Sequence, residues 1–146
     1  MPKAAVIYAT RMKGTQKIAD LIAEGMRLKG LEVDVVGVGD VEKNSVDLTT
    51  YDAIALGSAT YHGDMMQSMK TLLFLAEQAG LEGKVGGAFG AFGWSGEAPD
   101  RIFDTMKHIF KMEMVGGPLR LKSASLGGGL QMAHDYGKEM ASKLGI

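Results

Sequence analysis

Short unbroken apolar runs alternate along the chain with stretches whose apolar residues recur every three or four positions. Ala4-Ala5-Val6-Ile7-Tyr8-Ala9 is apolar throughout, as a strand buried on both faces must be. Ile18, Leu21, Ile22, Gly25 and Met26 then fall at helical spacing as far as Lys29-Gly30, where glycine supplies the stop. Val33 to Val38 predicts a second strand, and the polar stretch from Gly39 to Thr50 a short helix at most. Ala53-Ile54-Ala55-Leu56-Gly57 is a third buried run, followed by a helical stripe of Met66, Met69, Leu73 and Ala76. Val85 to Gly90 is the fourth, and after it Ile102, Phe103, Met106, Ile109 and Phe110 form a stripe with Pro99 in the first turn. Met112 to Leu121 predicts a less regular fifth strand, interrupted by Gly116-Gly117-Pro118. The last helix carries Leu130, Ala133, Gly137, Met140 and Leu144, preceded by Gly127-Gly128-Gly129.

Five strands alternating with helices predict an α/β fold: one doubly wound, five-stranded parallel sheet, strand order 2-1-3-4-5, with right-handed crossovers and helices on both faces. At 146 residues, 46% of them hydrophobic, the chain is expected to form a single domain over residues 1–146. Its 21 glycines are about twice the usual share of roughly 7%, without the period or Pro/Ser bias of a linker, so they belong at turns and close backbone approaches. Lys and Arg number 16 against 17 Asp and Glu, which leaves no basic footprint for nucleic acid. Without cysteine there is no disulfide, thiolate metal site or catalytic thiol. The apolar start, Ala4 to Ala9, is too short for a signal-peptide core, and no run reaches the ~18 residues of a membrane span. A soluble, cytoplasmic protein is expected, bound to neither nucleic acid nor membrane.

In a sheet of this kind the ligand lies beyond the carboxyl ends of the strands, where the strand order reverses. The loops after the first, third and fourth strands therefore converge on one crevice. The first, Thr10-Arg11-Met12-Lys13-Gly14-Thr15, places hydroxyls and two cations at a helix N-terminus, a setting for an anion; it also suits an ordinary turn in which Thr15 caps the helix. The second, Ser58-Ala59-Thr60-Tyr61-His62-Gly63-Asp64, has two adjacent rings at its tip; an exposed turn capped by Asp64 explains Gly63 and Asp64 but not the rings. The third, Phe92-Gly93-Trp94-Ser95-Gly96-Glu97, holds the single tryptophan, flanked by glycines that argue against a buried strand position. There it offers a flat surface to a planar ligand. His108 and His134 have no partner at metal-ligand spacing, and the methionines follow the apolar stripes as core filler.

The residues from Gly86 through Ala91-Phe92-Gly93-Trp94-Ser95-Gly96-Glu97 to Ala98, together with Gly57-Ser58-Ala59-Thr60, resemble the third and second flavin loops of flavodoxin-like FMN proteins, above all the flavin domain of flavodiiron proteins. The likeness covers essentially the whole chain. It implies FMN, with its phosphate on the first loop and its ring between the second and third. Thr10, Gly14, Thr15 and Ser58 match phosphate-contacting positions; Thr60, Tyr61, His62, Gly63 and Trp94 match positions lining the ring. The first loop departs from the family's pattern: Met12 and Lys13 stand where a hydroxyl and a glycine are usual, and the glycine is displaced to Gly14. Arg11 and Lys13 suit two readings: cations that compensate through charge, since charge-assisted hydrogen bonds to phosphate are about twice as strong as neutral ones, or solvated surface cations. The resemblance also implies that a peptide carbonyl in the second loop turns toward the ring on reduction, a movement that glycine permits at Gly63.

The function expected from this reading is an electron carrier that shuttles electrons between redox partner proteins through FMN, with no residue acting as general acid or base. An NAD(P)H-dependent flavin reductase acting on quinones is the enzymatic alternative, and a flavin-free binding module the third. Three dispersed histidines exclude the metal centre of a complete flavodiiron reductase. From Glu32 to Asp64 there are seven acids and one base, and from Arg101 to Lys122 five bases and two acids, patches able to steer a redox partner.

Overall fold

The computed structural model describes residues 2–9, 14–43, 46–61, 64–91, 97–121 and 128–145. Strand β1 (Lys3–Ala9) leads into helix α1 (Gly14–Leu28), then β2 (Glu32–Gly37), α2 (Val38–Lys43) and β3 (Ala53–Ser58). A two-stranded hairpin, β4 (Thr60–Tyr61) and β5 (Asp64–Met65), precedes α3 (Gln67–Gln78). The chain closes with β6 (Val85–Ala91), α4 (Glu97–Asp104), β7 (Glu113–Met114), β8 (Leu119–Leu121) and α5 (Gly129–Lys143). The main sheet is parallel in the order β2-β1-β3-β6, with β7 and β8 sharing the fifth position beside β6. This is the doubly wound α/β fold read from the apolar pattern. No described helix is long and apolar enough to cross a membrane.

Each strand alternates its side chains between two cores. Ala4 and Val6 pack with Ile18, Ile22 and Met26 of α1 and Tyr136 and Met140 of α5. Ala5 and Ile7 pack with Met69, Leu72 and Leu73 of α3 and Ile102 and Met106 beyond them. Two members of the expected stripes are not in the core. Ile109 is 58% exposed because the helix after Asp104 widens into a π-turn over Thr105–Ile109, whose extra residue rotates it outward. Leu130 is 52% exposed in the first turn of α5.

Helices α1 and α5 cross in direct backbone contact. A Cβ built on Gly25 would overlap the carbonyl oxygen of His134, and one built on Gly137 that of Ile22. Only glycine allows so close an approach.

The fifth strand breaks where Gly116-Gly117-Pro118 was expected to interrupt it. β7 pairs with Val85 and Gly86, β8 with Phe89 to Ala91, and the Ala88 N–H between them finds no strand partner. Tyr136 of α5 fills that place: its hydroxyl accepts from Ala88 N (3.0 Å) and donates to the Gly117 carbonyl (3.1 Å). Burial pushes this phenol's pKa up, well beyond the usual tyrosine range. Tyr136→Phe strands a buried N–H and is expected to cost about 1–3 kcal/mol at neutral pH, measured by urea unfolding. A raised tyrosine pKa contributes stability that is complete below about pH 10 and is lost above it. The gap between the two proteins therefore narrows in alkali; a constant gap would exclude the ionisation argument.

Candidate cofactor site

Strands β1, β3 and β6 end together, with Ala9 opposite Ser58 and Gly57 opposite Phe89. Their carboxyl ends carry the three loops. Thr10, Arg11, Met12 and Lys13 of the first loop, His62 and Gly63 of the second, and Phe92, Gly93, Trp94, Ser95 and Gly96 of the third lie outside the described residues. The stems of all three are described, and they meet.

Helix α1 begins at Gly14, where a Cβ would lie 3.5 Å from the Cβ of Ala91 at the end of β6. The first and third loops thus leave from neighbouring points. Thr15 is fully buried, and its Oγ1 has no hydrogen-bond partner among the described residues. It is the second residue of the described helix and so does not stand at the N-cap position. A buried hydroxyl without a partner costs about 1–3 kcal/mol from protein mutational data, so its position calls for a hydrogen-bonding ligand. The first turn of α1 contains no acidic residue, so no carboxylate within that turn offsets the positive end of the helix dipole.

The described residues of the second loop are tied down at several points. Ala59 N donates to the Ala9 carbonyl (3.1 Å). The buried Ser58 hydroxyl donates to the Ala59 carbonyl (2.9 Å) and accepts from Met66 N (3.0 Å), so its one proton is spent inside the loop. Thr60 Oγ1 accepts from Ala98 N (3.1 Å), joining the second loop to the helix that follows the third. Tyr61 pairs with Asp64 across the hairpin, and only His62 and Gly63 intervene. Two-residue strands carry no readable period, which is why the hairpin was not foreseen.

Asp64, offered by the sequence as a turn cap, has a different set of partners. Its carboxylate takes Lys70 Nζ of α3 at 2.6 Å and Met65 N at 2.7 Å, and lies 3.7 Å from Arg101 Nε of α4. The hydrogen bond from Lys70 holds its pKa below the usual carboxylate range. No spacing rule connects an aspartate with cations on two later helices, and sequence reasoning missed both.

The sequence pattern of the flavodoxin family matches residues 6–142. This chain belongs to the flavodoxin family. A flavodoxin from the domain Archaea superposes with a TM-score of 0.90 at 30% identity, over 99% of both chains. A nitric oxide reductase of Moorella thermoacetica is 29% identical across 97% of this chain and 36% of its own length. The type A flavoprotein of Rhodobacter capsulatus is 28% identical across 95% of this chain and 32% of its own. The chain thus spans about a third of the length of these curated relatives.

FMN is the cofactor of this family. The described donor set suits its phosphate: a buried hydroxyl on Thr15 without a described partner, at a helix N-terminus without acidic residues. This is a flavodoxin-like FMN-binding domain.

Proposed function

We infer that this domain, over residues 1–146, carries electrons between redox proteins, a reading supported by the flavodoxin family match over residues 6–142, with the Thr15 hydroxyl supporting the binding of its FMN phosphate. Thr15 and the first N–H groups of α1 would hold the phosphate, with Thr10, Arg11, Met12, Lys13 and Gly14 around it. Ser58 and Ala59 would shape the second loop from within; Thr60, Tyr61, His62 and Gly63 on that loop, and Ala91 to Gly96 on the third, would enclose the ring. Bound FMN supplies one- and two-electron chemistry. The protein's part is to bind, to orient and to exclude water. Asp64, an ionisable group at the described edge of this site, already has Lys70 and Arg101 for partners, an arrangement suited to holding the loop rather than to moving protons.

The purified protein is expected to be yellow, to release one FMN per chain with acid, and to accept electrons from a flavoprotein reductase. It is not expected to oxidise NADH or NADPH steadily on its own. Steady oxidation by the holoprotein would replace the carrier with the reductase reading. A chain that stays colourless after FMN is added would remove the flavin function.

A further inference from the structure

An isolated two-stranded hairpin is marginally stable in water, yet β4–β5 stands beside α4, in the loop that follows β3. Its strands are fastened separately. Thr60 on β4 accepts from Ala98 in the first turn of α4 (3.1 Å), and Asp64 on β5 reaches Arg101 one turn further along the same helix (3.7 Å). Asp64 also takes the ammonium of Lys70 in the first turn of α3 (2.6 Å). Arg101 has no competing salt bridge to Asp100, whose carboxylate pairs with Arg120 instead (3.5 Å). The second loop and the helix that closes the third are thereby joined at two levels.

Resting on the reading that the ring lies between these two loops, we propose that Asp64 is a positioning residue, whose ion pairs with Lys70 and Arg101 lock hairpin β4–β5 to α3 and α4 and set the spacing of the ring pocket before flavin arrives. A pocket ordered in advance loses less conformational freedom on binding, so a local latch is read as affinity. All three side chains are partly exposed, and such pairs contribute little to global stability. The latch therefore acts at the site without stiffening the whole fold.

Asp64→Asn and Lys70→Met remove charges of opposite sign, which separates a latch from a field effect. Apoprotein of the full chain is titrated with FMN and with riboflavin, which has the ring and lacks the phosphate. Both variants are expected to lose affinity several-fold, by the same factor for the two ligands, while the unfolding midpoint of the apoprotein stays near that of wild type. Lys70→Arg, which keeps the ion pair, is expected to restore binding. Affinity changes of opposite sign in the two variants would assign the effect to charge and overturn the latch. So would unchanged riboflavin affinity in both, with wild type binding normally. If wild-type protein binds neither flavin, the flavin reading falls and this proposal with it.

Discussion

FMN is expected to bind the apoprotein at least about 100-fold more tightly than riboflavin. Hydrogen bonds to a charged group contribute about 1.5–3 kcal/mol each, and every 1.4 kcal/mol is about tenfold in affinity. Two such bonds, one from the Thr15 hydroxyl and one from an N–H of the first α1 turn, reach that ratio. Thr15→Val isolates the first of them with little change of shape. The variant apoprotein is expected to be about 1 kcal/mol more stable than wild type, because a buried hydroxyl without a partner has gone. Its affinity for FMN is expected to fall about tenfold, and its affinity for riboflavin to stay the same. A general packing defect would lower all three quantities together. Equal affinity of wild type for the two flavins, by fluorescence titration, would remove the phosphate from this loop.

Gly137→Val is expected to destabilise the fold by about 3 kcal/mol or more. Even a single Cβ at this position would overlap the Ile22 carbonyl oxygen and would sit 3.0 Å from Met26 N. Both are backbone atoms of α1 and have no rotamer in which to retreat. The two helices must separate, and with them the packing of Ile22, Met26 and Met140 beneath the sheet loosens. Gly39→Ala is the control. It lies in α2, nothing among the described residues stands within 4 Å of the added Cβ, and alanine favours a helix, so the change is expected to be neutral or slightly stabilising. Urea unfolding followed by circular dichroism measures both. A Gly137→Val protein within about 1 kcal/mol of wild type would show that α1 and α5 do not cross as closely as described.

What the chain determines by itself is the material of its layers. Ala4 to Ala9, Ala53 to Gly57 and Val85 to Gly90 are apolar at every step, and such a strand is stable only with cover on both faces. With helical stripes between them, that requirement selects a parallel sheet and its right-handed crossovers. The break in the fifth strand was legible too, since Gly116-Gly117-Pro118 cannot continue a ladder. These are contests between neighbouring residues and solvent, settled within a few positions along the chain. The details of the site are contests of another kind. That Thr15 lies within α1 and not at its cap follows from the helix already including Gly14. That Ser58 spends its proton within its own loop, and that Asp64 meets Lys70 and Arg101, follows from how α3 and α4 pack beside a hairpin too short to show in the sequence. The same holds for Tyr136, whose hydroxyl completes the hydrogen bonding of Ala88 from the far end of the chain. Hydrophobic pattern is a one-dimensional property because burial on a helix or strand repeats with its own period. A hydrogen bond or ion pair fixes two atoms to within a few tenths of an ångström, and only the packed tertiary structure decides which two.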